Sequence, residues 1–201
     1  MKTGHHPPKL PPAQRPLIVT AWIHPEDLAP FQELRKRFFP AHRNYLEAHC
    51  TLFHTIPPAR QKAFFREAES VLKTLALPRY SLPTDDLMRV QGASEYILVE
   101  QQEPISLGKG VAYRLEPEPL KQIRQPLRDA FEPDLTPQDA RPWRRPHITV
   151  QNKVDPAEAK RLLDHLTDRY QTCTLRILGI ECFRYDYGPW TLLKRIGIKE
   201  T

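Results

Sequence analysis

The stretches His49-Cys50-Thr51-Leu52 and His147-Ile148-Thr149-Val150 repeat one pattern, in which a histidine and a threonine two residues later alternate with less polar residues. Successive side chains of a β-strand point to opposite faces of its sheet. The pattern therefore predicts two strands, each with its histidine and threonine on one face and its apolar residues in a core. Two imidazoles and two hydroxyls are then available to converge on one substrate.

The repeat continues beyond the motifs at the same offset of 98 residues. Each motif is followed by a short turn and then by apolar residues at helical spacing, with Pro58 and Pro156 at the first helical position, which suits proline. Asp155 has the place of an N-cap residue. Helices are therefore predicted over about 58–76 and 156–169. The offset also pairs Ile56 with Val154, Lys62 with Lys160 and Phe64-Phe65 with Leu162-Leu163.

The remaining chain alternates β-prone runs with two further helical patterns, and the hairpins among the runs favour antiparallel pairing. A chain made of two similar halves can fold about a pseudo-twofold axis, which brings equivalent strands to face each other. The sequence therefore predicts an α+β fold with helices packed outside antiparallel sheets. The other predicted strands are 16–23, 80–90, 94–101, 110–115, 172–185 and 190–198, and the other predicted helices are 26–38 and 117–131.

The composition is typical of a globular chain: of 201 residues, 40% are hydrophobic and 27% are charged. Because no apolar run is long enough to cross a bilayer, no membrane association is expected. Residues 1–16 are polar, basic and rich in proline, and predict a disordered leader before a single domain over 17–201. Cys50, Cys173 and Cys182 lack the spacing of a metal site, and we expect free thiols in a reducing cytoplasm.

The chemistry of the repeated residues points to phosphate. Opening a cyclic phosphodiester requires a base that takes a proton from the attacking water and an acid that protonates the leaving oxygen. Histidine serves in both roles, because its ordinary pKa of about 6.5 lies near neutral pH. Threonine hydroxyls on the same face can donate to the non-bridging oxygens and hold the phosphate in place. A formal net charge of +6 also favours a polyanionic partner.

The duplicated motif, its spacing and the context Arg145-Pro-His-Ile-Thr-Val150 resemble the two-histidine (2H) phosphoesterase superfamily, in its 2′-5′ RNA ligase-like branch. The resemblance extends from about Leu17 to Ile198. It implies a bilobal fold with two antiparallel sheets around a central cleft, and activity on 2′,3′-cyclic phosphates or 2′-5′ linkages in RNA or nucleotides. It also implies that no metal or other cofactor is needed. The residues carried over are His49, Thr51, His147 and Thr149.

Several neighbouring residues are weaker candidates for substrate contact. By strand alternation Gln151 falls on the catalytic face and Lys153 follows two residues later, in a stretch where many relatives carry an arginine. Arg145 precedes the second motif and is expected at the edge of the cleft. Three aromatic residues near the end of the chain are candidates to stack a base: Tyr185, Tyr187 and Trp190. His54 falls outside the period-two pattern of the first motif and is expected to be structural or exposed.

Three functions remain open at this level. The first is a metal-independent phosphodiesterase or RNA ligase-like enzyme, and the second is a nucleotide- or RNA-binding module that uses the same cleft without catalysis. The third is a metal hydrolase, which is disfavoured because no histidine and acid cluster has ligand spacing. The partner is expected to be RNA or a nucleotide, and the chain is expected to be a monomer. The sequence leaves open which histidine is the acid.

Overall fold

The structure, a computed structural model, describes residues 10–143 and 145–200. The strands are β1 Leu17–Ile23, β2 Thr51–Ile56, β3 Tyr80–Ser81, β4 Glu95–Ser106, β5 Gly110–Leu115, β6 His147–Asn152, β7 Cys173–Tyr185 and β8 Trp190–Gly197. The α-helices are α1 Pro25–Phe38, α2 Gln61–Lys73, α3 Thr84–Arg89, α4 Pro117–Phe131, α5 Pro137–Ala140 and α6 Pro156–Thr167. Within the described residues, no helix is long and apolar enough to cross a membrane.

The strands form a hydrogen-bonded path in the order β2-β1-β7-β4-β5-β6, with β8 added to β7 and β3 added to β4. All of these pairings are antiparallel. The path reads the same from both ends if β2 corresponds to β6, β1 to β5 and β7 to β4. The pseudo-twofold axis therefore passes between β4 and β7, near the Val99–Leu175 pair.

The path curls into a nearly closed barrel with the helices on its outside, which confirms the predicted α+β fold. The two sheets expected from the resemblance correspond to the halves of this path, joined where β4 pairs with β7. The β1–α1 unit also has a counterpart in β5–α4. Both helices begin with proline and glutamate, and their last residues are Phe38 and Phe131. Each half thus contains a strand, a helix, a motif strand and a second helix in that order.

Both motif strands carry an irregularity at the same place. In β2, Thr51 lies opposite Thr20 and Phe53 lies opposite Val19, so that Leu52 is an extra residue. In β6 the same shift occurs between Thr149 and Gln151, with Val150 as the extra residue. A bulge of this kind bends a strand and changes which face the following side chains occupy. The duplication therefore preserves a bulge directly after each threonine.

The predicted strand over 80–90 is wrong for most of its length. Only Tyr80–Ser81 pairs with β4, and the chain then turns into α3. Pro83 precedes that helix, and two aspartates occupy its first turn, where acidic side chains stabilise a helix through its dipole. Apolar residues at both ends of α3, Leu82 and Val90, pack in a small core around Trp22. Leu82 and Val90, which lie within the predicted strand, thus flank a short helix.

The predicted leader lies partly outside the described residues, because 1–9 are not among them. The rest of it contacts the domain: Pro12–Gln14 forms a short 3₁₀ turn, and the Arg15 guanidinium forms an ion pair with Asp186. The Gln61 side chain donates to the Arg15 carbonyl at 3.1 Å. These contacts attach residues 10–16 to the turn before β8 and to the start of α2.

The backbone of β2 is bound by a buried carboxylate from the other half of the chain. Asp139 is 1% exposed and accepts hydrogen bonds from the backbone N–H groups of His54 and Thr55, each at 2.9 Å. Burial alone would raise the pKa of the Asp139 carboxyl, but the hydrogen bonds from His54 and Thr55 outweigh it and lower the pKa below its ordinary value. Asp139 therefore stabilises the fold as a carboxylate.

We expect Asp139→Asn to lower the free energy of unfolding by about 1–3 kcal/mol, because the amide leaves one backbone N–H without its acceptor. The wild-type carboxylate has a lowered pKa when folded. The stability that the Asp139 carboxylate contributes is therefore present at pH values above the ordinary aspartate pKa, and it is lost as the pH falls through the folded pKa. Urea titrations at several pH values measure both effects. Asp129→Asn, an exposed site on α4, is the control, and equal stability of the two variants at neutral pH would contradict the prediction.

Candidate active site

The two motif histidines are held in the same way by their own backbone. His49 lies just before β2, and its Nδ1 is 2.7 Å from the carbonyl oxygen of Glu47. His147 begins β6, and its Nδ1 is 2.8 Å from the carbonyl oxygen of Arg145. A carbonyl oxygen only accepts hydrogen bonds, so Nδ1 carries the proton in both rings. Each neutral ring therefore presents an unprotonated Nε2.

The curled sheet brings the two motifs together although they lie at its opposite ends. The sulfur of Cys50 interacts with the backbone of His147, and the charge of a protonated His147 acts on His49. Burial raises the pKa of the Cys50 thiol to about 12, so the thiol stays protonated and is not a nucleophile. The Cys50 thiol is thus not one of the reactive groups, although it lies where the two motifs meet.

Two buried arginines join each motif strand to the opposite half of the chain. Arg35 of α1 is 4% exposed and donates to the Thr149 carbonyl at 2.9 Å and to the Leu46 carbonyl at 3.0 Å. Arg124 of α4 is 3% exposed and donates to the Leu52 carbonyl at 2.8 Å. Each half therefore supplies a guanidinium that fixes the backbone of the other half's motif.

Because of the two bulges, each motif threonine and the residue two positions after it lie on opposite faces of the sheet. Thr51 and Thr149 are half-buried, whereas Phe53 and Gln151 are fully buried. Val111 and Ala112 are neighbours in β5 and point to opposite faces. Their partners in β6, Gln151 and Thr149, therefore do so as well. The prediction that Gln151 lies on the catalytic face is therefore wrong. Its side chain donates instead to Glu158 Oε1 of α6 at 3.2 Å.

The other predicted contacts lie at the margin of the site. Lys153 follows the end of β6 in a left-handed conformation with φ 62°, and its side chain is exposed. Arg145 is also exposed, and its carbonyl orients His147. His54 bonds to Asp139 through Nδ1 at 3.1 Å, in agreement with the structural role expected for it.

The environment of His49 keeps its ring neutral. Burial is the main cause that lowers the pKa of His49, to about 4, and the positive charges of Arg35, His147 and His54 lower it further. The hydrogen bond to the Glu47 carbonyl opposes this effect without cancelling it. Near neutral pH the His49 ring is therefore uncharged and able to accept a proton at Nε2.

An aromatic cavity adjoins His49. The Trp190 ring lies 4.8 Å from the His49 ring at an interplanar angle of 51°, and Phe183 packs behind it. A cavity of about 210 Å³ opens here, and Tyr45 and Glu181 also line it. Of the three aromatic residues predicted to stack a base, only Trp190 contacts His49. Tyr185 and Tyr187 instead pack against each other, with the Tyr187 hydroxyl accepting a hydrogen bond from Leu10.

The described residues contain one group with the geometry of a metal site, formed by His24, Glu26 and Asp86. The Arg176 guanidinium already forms ion pairs with both acids, each at 3.1 Å. This group involves neither motif histidine, and it links the start of α1 to α3 and β7.

Comparison with known proteins identifies the family and the fold. Residues 23–189 match the family described as the 2′-5′ RNA ligase superfamily. The chain belongs to the 2′-5′ RNA ligase superfamily. No curated protein matches the sequence. The solved structures similar to this superfamily member include Escherichia coli LigT complexed with 3′-AMP, at 16% identity and a TM-score of 0.57, covering 92% of this chain and 98% of that one.

Two further structures show the same fold. E. coli LigT complexed with NADP⁺ has 16% identity and a TM-score of 0.55, and covers 93% of this chain and 99% of that one. TT0787 of Thermus thermophilus has 15% identity and a TM-score of 0.60, and covers 91% of this chain and 97% of that one. At these identities the likeness shows a shared fold over nearly the whole of each chain.

The sequence interpretation of this superfamily member missed Arg35, Arg124 and Asp139. A signal was available for the arginines, because Arg35 follows Phe31 and Arg124 follows Leu120 by one helical turn. Each arginine thus lies on the apolar stripe of its helix, where a charge must find partners if the helix packs. Asp139 carried no comparable signal, since it lies in a charged, proline-rich segment typical of a surface loop.

We expect His49 to titrate with a pKa of about 4, which NMR of its ring protons measures. The unfolded value is about 6.5, so the unfolded chain binds the proton more tightly. The contribution of His49 to stability is therefore complete above pH 6.5 and is lost as the pH falls through 4. Trp190→Ala exposes the ring and should raise this pKa, whereas Tyr185→Ala in the same hairpin should not. A His49 that titrates near 6.5 in the wild type would contradict the assignment.

Proposed function

We propose that this protein is a metal-independent phosphodiesterase or RNA ligase-like enzyme. Its substrates are 2′,3′-cyclic phosphate or 2′-5′ phosphodiester bonds of RNA or nucleotides, and His49 and His147 are its general acid/base pair. The observation that carries the proposal is the matched pair of Nδ1 contacts to backbone carbonyls. Both rings are oriented by the same local device, which leaves Nε2 of each neutral ring free of a proton.

In the hydrolytic direction, His49 acts as the base because its lowered pKa leaves it neutral. Its Nε2 takes a proton from water as the water oxygen bonds to phosphorus. The bond from phosphorus to one ribose oxygen breaks, and that oxygen takes a proton from Nε2 of protonated His147. The Thr51 and Thr149 hydroxyls donate to the non-bridging oxygens. With a ribose hydroxyl in place of water, the same steps join an RNA end to a cyclic phosphate.

The substrate class rests on membership of the superfamily and on the charge of the site. LigT structures that share the fold are complexed with 3′-AMP and NADP⁺, which are nucleotides. Arg145 and Lys153 are proposed to contact flanking phosphates, since both are exposed beside the second motif. Trp190 is proposed to stack a base in the cavity next to His49.

Replacing either histidine by alanine should lower kcat by about 10²–10⁴-fold, because the step loses its proton acceptor or donor. Thr51→Val and Thr149→Val should each lower kcat/KM by about 10–100-fold, through loss of a hydrogen bond to a charged oxygen. Steady-state rates on 2′,3′-cyclic mononucleotides and 2′-5′ dinucleotides measure these effects. His42→Ala, an exposed histidine outside the motifs, is the control, and circular dichroism verifies folding.

Each alternative function gives a different result in the same assays. Turnover at the wild-type rate in His49→Ala or His147→Ala would contradict the acid/base assignment. Salt-sensitive binding of these substrates with no turnover would favour a binding module. Loss of activity in a chelator would favour a metal hydrolase. Identifying the product as a 2′- or a 3′-phosphate shows which ribose oxygen left, and therefore which oxygen the acid protonated.

A further inference from the structure

The two halves of the chain differ at one internal corner, where a motif strand meets two helices. In the first half this corner is filled by three buried phenylalanines. Phe53 of β2 packs against Phe64 of α2 with ring centroids 5.7 Å apart, and Phe64 packs against Phe131 of α4 at 5.3 Å. All three rings are at most 3% exposed, so they form part of a close-packed core.

In the second half the equivalent residues leave a cavity. The offset of 98 residues places Gln151 of β6 at the position of Phe53, and Leu162 of α6 at the position of Phe64. Glutamine and leucine are smaller than the two rings they stand for. A cavity of about 290 Å³ lies beside Gln151, Leu162 and Phe38, close to the lower limit for small-molecule sites.

The glutamine in this corner is incompletely satisfied. Gln151 is 1% exposed, and its Nε2 donates to Glu158. Its Oε1 is buried and has no hydrogen-bond partner among the residues that the structure describes. An unpaired buried polar atom destabilises a fold by about 1–3 kcal/mol, and a phenylalanine stands at the equivalent place in the other half.

The rim of the cavity is positively charged. Arg37 of α1, Arg161 of α6 and His165 of α6 line it, and Glu158 is the acidic residue beside them. Within 10–143 and 145–200, neither arginine forms an ion pair. The same offset places Ala63 and Glu67 of α2 at the positions of Arg161 and His165. The positive rim therefore belongs to the second half alone, as does the cavity.

We propose that this corner is a second binding site, for a nucleoside phosphate. Arg37 and Arg161 hold the phosphate, since guanidinium groups bind phosphate oxygens through paired hydrogen bonds. The base or ribose enters the cavity against Phe38 and Leu162. The bulge at Val150 places this corner on the opposite face of β6 from Thr149, so the site shares no residue with the catalytic pair. The ligand is either a free nucleotide or one residue of a longer RNA.

Photo-crosslinking with 8-azido-AMP, followed by peptide mapping, locates the site without any measurement of activity. We expect crosslinks on peptides that contain Phe38 or Leu162, and competition by 5′-AMP. Arg161→Ala should weaken this labelling about tenfold, through loss of a charged contact. Lys160→Ala is the control, because Lys160 is the exposed neighbour on α6 that pairs with Asp164. Labelling confined to peptides with the two motifs, or equal labelling of Arg161→Ala and wild type, would overturn the proposal.

A second variant fills the corner as the first half does. Gln151→Phe combined with Leu162→Phe should raise the melting temperature, because it removes a cavity and an unpaired oxygen, and should abolish labelling at this site. Unchanged labelling in this folded variant would also overturn the proposal. The two ligand sources are separated with a 2′,3′-cyclic-phosphate RNA of 12 nucleotides. If the corner binds RNA, Arg161→Ala raises KM for this RNA and not for 2′,3′-cyclic AMP; if it binds free nucleotide, both KM values are unchanged while labelling is weakened.

Discussion

The buried guanidinium of Arg35 is the contact on which the candidate site most depends. The two motif strands lie at the opposite ends of the sheet path, so the site exists only if the curled sheet brings those ends together. Arg35 binds the segment before the first motif through Leu46 and Asn44, and binds the second motif through Thr149. Its burial is tolerated because these three oxygens replace water as acceptors for both terminal nitrogens of the guanidinium. The same positive charge lowers the pKa of His49, so one residue contributes to both the architecture and the chemistry.

The symmetry of the fold gives the two histidines matched orientations, and departures from that symmetry give them different surroundings. Each ring is held by the carbonyl two residues earlier, and a bulge follows each threonine. His49 has Trp190 against its ring. A reaction that needs an acid and a base requires two groups alike in placement and unlike in protonation. In the proposed mechanism, duplication supplies the matched placement, and the burial of His49 supplies the neutral base.

The divergence extends to the packing behind the motif strands. The corner at Phe53, Phe64 and Phe131 is closed by aromatic packing, whereas the corner at Gln151 keeps a cavity and a positive rim. Selection for stability alone favours the filled version, since cavities and unpaired polar atoms both destabilise a core. A retained cavity with charged residues around it is therefore informative about function, because the same fold contains its own filled counterpart.

Much of the fold was accessible from the sequence, because period-two and helical patterns are local properties of the chain. The motif strands, the helix over 117–131 and the strands 110–115 and 172–185 follow from such patterns, and the duplicated histidines and threonines indicated the site. The face occupied by Gln151 could not be predicted, because the bulge depends on the register of β6 against β5 and has no signature in the sequence of β6. The partners of Arg35 and Asp139 were not accessible either, because they lie far away in sequence. The sequence by itself determined which groups the site contains, and only the tertiary structure decided which face and which partner each of them has, since those depend on how the two ends of the sheet meet.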